Sequence, residues 1–290
     1  MIIAIDVGGT KISAALVKDS KIIEIRKVES IVHQDLAYLA SYLINLCEGW
    51  TEQAYSVAVA CSGLVGTERV NFLSANDSLP LKLQLETGFG LPVVMLNDAA
   101  AAAWAEYSLR PNPLDSTLVY ITVSTGVGGG IVQNGQLVMA ADGFCAHIGH
   151  MSVSRPELPA IECHCGRFNC AEALASGTAI ANQASSIVNK AVSCKTVFNE
   201  YGCHPEIVQL LEQATDAIVE LIANIKALTG TGIVVLGGSV GSTHLFQERI
   251  KKKLKALPTI YQVELVAPVS GEHADLIGAA LYADSVIGCG

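Results

Sequence analysis

The chain has 290 residues, 51% apolar and only 16% charged, which is long enough for two lobes with real cores and reads as a compact α/β globule. Its 18 basic and 27 acidic residues leave a net charge of −9 with no Lys/Arg-rich stripe to offset it, which argues against nucleic-acid and anionic-membrane partners and favours a small-molecule substrate. No apolar run approaches the ~18 residues of a spanning helix. Met1 to Asp6 lacks the basic start and longer apolar core of a signal peptide, so a cytoplasmic protein is expected.

Ile2 to Ile5 reads as a strand, Asp6-Val7-Gly8-Gly9-Thr10-Lys11 as a turn, Ile12 to Val17 as a second strand and Lys21 to Val28 as a third. The glycines therefore lie in a strand–turn–strand unit, and neither the P-loop nor the dinucleotide fingerprint is present. A plain Gly-Gly hairpin explains this turn. So does a phosphate cradle, in which Gly8 and Gly9 expose backbone N–H groups, Thr10 and Lys11 add a hydroxyl and a cation, and Asp6 orients a Mg2+-bound water. The plan recurs further on. Leu118 to Val123 is β-rich, Ser124-Thr125-Gly126-Val127-Gly128-Gly129-Gly130 reads as a turn, Ile131 to Gln133 resumes a strand, and Asn134-Gly135 signals a hairpin before Gln136 to Met139. Two such hairpins, one on each lobe, would grip a nucleotide triphosphate from both sides.

Between the hairpins, Gln34 to Leu46 has helical spacing, and Tyr55 to Ala60 is a strand running into Cys61-Ser62-Gly63. Leu91 to Leu96 is another strand, delivering Asn97-Asp98 to an Ala-rich helix over Ala99 to Tyr107. Asp98 reads equally as a helix N-cap and as a catalytic carboxylate at a strand's carboxyl end, where α/β sheets bind ligands. Pro111-Asn112-Pro113 marks a lobe boundary, giving an N-terminal lobe over 1–112, rejoined by a C-terminal helix over 273–290, and a C-terminal lobe over 113–272.

Cys163-His164-Cys165-Gly166-Arg167-Phe168-Asn169-Cys170, with Gly149-His150 upstream, supplies a Cys3His set for a tetrahedral Zn2+. Incidental thiols, or a disulfide with a spare cysteine, are the alternative. The loop is too short and polar to form its own core, so a metal would have to fold it. Cys47, Cys61, Cys145, Cys194, Cys203 and Cys289 are scattered, mostly among apolar neighbours, as free buried thiols would be.

Ala173 to Ser186 is helical, interrupted at Ser176-Gly177, and Pro205 to Leu228 is a long helix with an apolar stripe fit for core or for a homodimer interface. Ile233 to Leu236 is a buried strand ending in Gly237-Gly238-Ser239-Val240-Gly241, by itself a simple strand–helix connection. Phe246 to Ala256 carries Lys251-Lys252-Lys253 on an expected solvated face, Val263 to Val266 is a last strand, and Asp275 opens a terminal helix.

With Asp6 to Lys11, Asn97-Asp98, Ser124 to Gly130, Gly149-His150 and Cys163 to Glu172 all in order, the chain resembles the ROK family of sugar kinases and repressors nearly end to end. The resemblance implies a two-lobed, duplicated actin/hexokinase-like (ribonuclease H-like) α/β fold with a structural zinc loop. It implies ATP-dependent phosphorylation of a sugar 6-hydroxyl. Ala101 to Glu106, Val123 to Gly130 and His147 to His150 most resemble members acting on N-acetylmannosamine in sialic acid breakdown, with N-acetylglucosamine or glucose as alternatives. By that resemblance Asp98 is the general base, and Gly63, Asn97, Asp98, His150 and Glu172 contact the sugar. Asp6, Gly8, Gly9, Thr10, Lys11, Ser124, Thr125, Gly126, Gly128 and Gly129 hold the ATP phosphates with Mg2+, and Gly237 and Gly238 pack near the adenosine. His150, Cys163, Cys165 and Cys170 are the zinc ligands.

Two positions depart from the family pattern. His147 stands where many glucose-type members carry Glu, which suits a 2-acetamido sugar, and Asn169 stands where Gly is usual in the zinc loop. Asn tolerates the left-handed conformation, so the loop is expected to survive. A non-catalytic sugar-sensing protein is the less favoured alternative: repressor members carry an N-terminal helix-turn-helix, and with the phosphate turn beginning at Asp6 none is expected here.

Overall fold

The computed structural model describes residues 1–72, 77–111, 117–154 and 159–288. The expected lobe boundary at Asn112-Pro113 and the Cys289 thiol lie outside the described residues. Contacts group the chain into two units, Met1–Pro113 with Gly135–Ala146 and Val269–Gly290, and Leu114–Asn134 with His147–Pro268.

The first unit is built on a five-stranded sheet in the order Lys21–Glu29, Lys11–Lys18, Ile2–Val7, Ser56–Cys61, Val93–Asn97. The first three are an antiparallel meander, and the last two run parallel to Ile2–Val7. Side chains alternate across a strand, so this sheet has two distinct faces. Ile3, Ile5, Val57 and Val59 pack with Leu39, Leu43, Trp50, Leu81, Leu85 and Phe89 of the helices Leu39–Leu46 and Leu81–Phe89 and their flanks. The opposite face is rich in alanine: Ala4, Ala15, Ala58 and Ala60 meet Ala101, Ala279, Ala280 and Ala283, with Ile2, Val17, Leu96 and Leu276 in the same layer. Small side chains let the helices Asp98–Ser108 and Ala274–Ile287 lie close to the strands and to each other. At the crossing, a Cβ on Gly278 would stand 1.8 Å from the Ala101 carbonyl oxygen, so only glycine fits.

The second unit repeats the plan. Val127–Gln133 pairs antiparallel with Leu118–Val123, which pairs parallel with Ile233–Gly237, and Ile233–Gly237 in turn pairs parallel with Glu264–Val266. The long helix Pro205–Thr229 starts on proline and ends on a left-handed Gly230. Its apolar stripe, Ile207, Leu210, Leu211, Ile218, Leu221, Ile222 and Ile225, is buried within the unit. The stripe is core, and the expected dimer draws no support from it. The helix His244–Ala256 packs beside it, and here the solvated-face expectation fails for one lysine. Lys253 is held at 2.7 Å from Glu212 and 2.5 Å from Asp216 of the long helix, because its register points it inward. Among the described residues no helix is long and apolar enough to cross a membrane.

Candidate active site and metal centre

In the first unit, sheet register brings the acidic residues to one end. Val7, Cys61 and Asn97 form a single row across the three parallel strands, at their carboxyl ends. Asp6 lies one residue before that row and Asp98 one after it. Asp6 has the parity of Ala4, so it faces the layer formed by the two helices, whose first turns carry Asp98 and Asp275. Burial pushes the Asp6 carboxyl up to about 8, with repulsion from Asp275 and then Asp98 adding to the rise. Burial likewise lifts Asp98 to about 6, against a hydrogen bond from Ala99 and with Asp275 adding to it. Asp275 is itself raised, chiefly by burial. Sequence reading gave Asp275 no part here. The available signal was an acidic residue opening an otherwise apolar helix beneath two others.

The capping question resolves in favour of Asn97. Its Oδ1 accepts from the N–H groups of Ala99 and Ala100 at 3.0 and 3.3 Å, while its Nδ2 donates to the Gly63 carbonyl at 3.2 Å. Asp98 is the first helical residue, and its Oδ1 accepts from Ala99 N–H at 2.8 Å. Asn97 thus fixes Gly63 and the helix start together, and the cap does not depend on Asp98. At the first glycine turn, Gly8 N–H donates to the Lys11 carbonyl at 3.0 Å, which closes the hairpin and leaves Thr10 and Lys11 exposed.

In the second unit, the turn proper is Ser124 to Gly126, since the strand begins at Val127. Gly128 and Gly129 therefore lie in the sheet, opposite Thr122 and Ile121, and not in the turn. Gly129 is buried, and a Cβ there would strike Ile148 and the Tyr120 carbonyl, so close packing accounts for that glycine. A glycine run mimics a turn in sequence; the antiparallel ladder overrides it here. Helix Gly177–Ile187 clamps the turn: Gly177 N–H donates to the Ser124 carbonyl at 2.7 Å and the Thr178 hydroxyl to the Thr125 carbonyl at 2.9 Å. The Gly237–Gly241 turn closes on the same strand end, with Val240 and Gly241 N–H donating to the Val123 carbonyl at 2.9 and 3.0 Å.

Glu172 links this turn to the cysteine loop. Its Oε2 accepts from Val127 N–H at 2.9 Å and lies against Gly126. Its Oε1 is buried with no hydrogen-bond donor, 3.5 Å from His164 Nδ1 and 3.9 Å from His150 Nδ1. Thr125, Gly126, Glu172, Ser176, Thr178 and Asn182 line a cavity of about 450 Å³. An orphan carboxylate oxygen there is suited to accept from a ligand's hydroxyl or N–H.

The three cysteines and His150 converge as expected. Their donor atoms lie within 4.8 Å of one another, with Cys163 Sγ 3.7 Å from His150 Nδ1 and Cys165 Sγ 3.6 Å from Cys170 Sγ. Ligand atoms on a tetrahedral zinc with ~2.3 Å bonds to sulfur stand about 3.8 Å apart, so this donor set fits Zn2+. The thiols are free, which removes the disulfide alternative. The loop turns at Gly166 (φ +82°) and Asn169 (φ +55°), so Asn169 takes the left-handed conformation expected of it. Its Oδ1 also accepts from Ile161 N–H at 2.9 Å, and Arg167 donates to the His150 carbonyl at 2.9 Å.

Over residues 2–286 the sequence matches the ROK family. An N-acetylmannosamine kinase of Salmonella newport (strain SL254) is 38% identical over 288 residues, 97% of either chain. Among solved structures, a ROK hexokinase from Thermus thermophilus superposes with a TM-score of 0.84 at 27% identity, covering 100% of this chain and 99% of that one. A ROK family glucokinase from Streptomyces griseus, in complex with glucose and AMPPNP, gives 0.80 at 27% identity over 98% and 99%. The fold is accordingly the duplicated actin/hexokinase-like one. Because the match runs through both sheets, both glycine turns and the cysteine loop without a break, the chain belongs to the ROK family.

Proposed function

We propose that the chain is an ATP-dependent kinase that converts N-acetylmannosamine to its 6-phosphate, a step of sialic acid breakdown. The observation that carries this reading is the full-length similarity to kinases of that sugar, at 38% identity over 97% of the chain. The residues support it. Asp98 is the general base: it takes the proton of the 6-hydroxyl as that oxygen bonds to the γ-phosphorus. The bond from phosphorus to the β,γ-bridging oxygen breaks, and ADP leaves with its electron pair. Transfer of this kind asks for positioning and charge stabilisation more than covalent chemistry, which suits a carboxylate fixed at a strand end.

Asn97 and Gly63 hold a neighbouring sugar hydroxyl, and the orphan Oε1 of Glu172 accepts another, with His150 beside it. The turn at Gly8 to Lys11 belongs to an N-terminal lobe and that at Ser124 to Gly126 to a C-terminal lobe. Both receive ATP phosphates, with Gly237 and Gly238 towards the adenosine. Mg2+ bound with the nucleotide would neutralise phosphate charge, and Asp6 would orient a water on it. His150, Cys163, Cys165 and Cys170 would hold a Zn2+ that staples the loop and so fixes Glu172.

The test compares kcat/KM for N-acetylmannosamine, N-acetylglucosamine, mannose and glucose by ATP-dependent ADP release. N-acetylmannosamine is expected to lead, and His147→Glu to shift preference towards glucose. A lead for glucose keeps the kinase and moves the substrate. No turnover with any of the four defeats the reading.

A further inference from the structure

Glu106 is the only charged residue among the described residues that has no exposed surface at all. A carboxylate sealed from water is costly unless donors surround it, and here they do. Oε1 accepts from Ser270 N–H at 2.9 Å, from Val269 N–H at 3.0 Å and from the Ser270 hydroxyl. Oε2 accepts from Val269 N–H at 3.0 Å and pairs at 3.0 Å with Arg110, four residues on and just past the helix end. Two successive backbone amides, a hydroxyl and a guanidinium thus converge on one anion.

Their location gives this clamp its meaning. Glu106 is two turns beyond Asp98 on the helix Asp98–Ser108, and Val269 is where the chain re-enters the first unit before the helix Ala274–Ile287. The two helices touch again where Gly278 meets Ala101, and where Trp104 and Tyr282 pack edge to face with ring centroids 5.5 Å apart. Two contacts along the helix pair, and the clamp on the segment that leads into the second helix, oppose sliding or rolling of either one. The first turns so fixed carry Asp98 and Asp275.

We propose that Glu106 is a positioning residue for phosphoryl transfer, clamping the Val269–Ser270 segment so that the two helix starts hold their attacking geometry. The proposal rests on Asp98 being the base. Reaction rate is more sensitive than binding to such placement, since a shift of about 1 Å can cost on the order of 100-fold.

Glu106→Gln keeps the volume but turns an NH2 group towards a set made entirely of donors, and it removes the charge that pairs with Arg110. Ser270→Ala is the milder variant, removing one hydroxyl donor. Both are assayed well below their own melting temperatures. Expected for Glu106→Gln is a kcat reduced on the order of 10–100-fold, with KM for sugar and ATP within about twofold, and for Ser270→Ala a smaller loss in kcat of the same kind. Asp98→Asn is then combined with Glu106→Gln. Non-additive losses show that the clamp acts through the base. An unchanged kcat in folded Glu106→Gln overturns the proposal, as does a fully additive double variant or a change confined to KM. If Glu106→Gln fails to fold, the kcat of Ser270→Ala and its double variant with Asp98→Asn decide by the same criteria. Failure of the base assignment is read separately, as substantial turnover in Asp98→Asn alone.

Discussion

The three carboxyls at the strand ends make the pH profile a sharp test. With Asp98 lifted from 3.8 to about 6, principally by burial, the base is only about one-tenth ionised at pH 5. A carboxyl at its ordinary value would be about nine-tenths ionised there. The acid limb of kcat/KM, which reports the free enzyme, should therefore fall near pH 6 and leave about a tenth of the plateau at pH 5. Asp6 and Asp275 titrate in the same cluster, so the midpoint belongs to the set as much as to Asp98. Replacing Asp275 by Asn removes a repulsive charge and must move the limb to lower pH. Stability should run the other way. A carboxyl raised in the folded state contributes stability that is full below its unfolded value near 4 and is lost as pH rises through about 6, on the order of 3 kcal/mol for this shift. The assay is ADP release at constant ionic strength, with calorimetric melting over the same range. A rate still at plateau at pH 5, or a limb unmoved in Asp275→Asn, refutes the argument.

Further outcomes follow from the same geometry. Chelating the metal, or replacing the buried Cys170 by Ser, should release one zinc per chain and lower the melting temperature, because binding to such a site is itself folding energy; a metal-free protein with an unchanged melt opposes this. Glu172→Gln should raise KM for the sugar with a modest change in the melt, whereas Glu172→Ala also strips Val127 N–H of its acceptor and should cost about 1–3 kcal/mol in denaturant unfolding. Equal KM values in Glu172→Gln and the parent would remove Glu172 from the sugar site. Gly278→Ala forces a Cβ against the Ala101 carbonyl and should destabilise by about 1–3 kcal/mol or more, or some 2–4 °C in Tm for each kcal/mol. A stabilised variant would mean the helix crossing is loose.

Much of this was legible in the sequence because the signals were local. Strands announced themselves as short apolar, β-rich runs bounded by turn residues, and Ser176-Gly177 marked a real break between Ala171–Ala175 and Gly177–Ile187. The zinc set is local as well, three cysteines and a histidine held by two left-handed turns. What escaped was either masked locally or assembled at long range. Helix Leu81–Phe89 has a weak apolar stripe and a glycine near its end, and Gly128 to Gly130 looked like a turn because nothing in a glycine run announces a partner strand.

The carboxyl corner at Asp98 shows why such a site is half-hidden. Asn97-Asp98 is visible as a pair, but from sequence the capping role and the catalytic one both fell on Asp98. Tertiary structure divides the labour. Asn97 can accept from two amides and donate to Gly63 at once, which a carboxylate cannot, since it has no donor. Once Asn97 caps, Asp98 is freed from that duty and meets Asp6 and Asp275 on the alanine face, where burial raises all three. The alanines are the reason this happens: larger residues at Ala4, Ala60 or Ala101 would hold the helices off the sheet and let water reach the carboxyls. The composition that looked merely helix-favouring is thus what brings the base into a low-polarity corner. Ala60→Leu should accordingly lower both the melting temperature and the midpoint of the acid limb. Loss of stability with the limb fixed near pH 6 would break the link between packing and basicity.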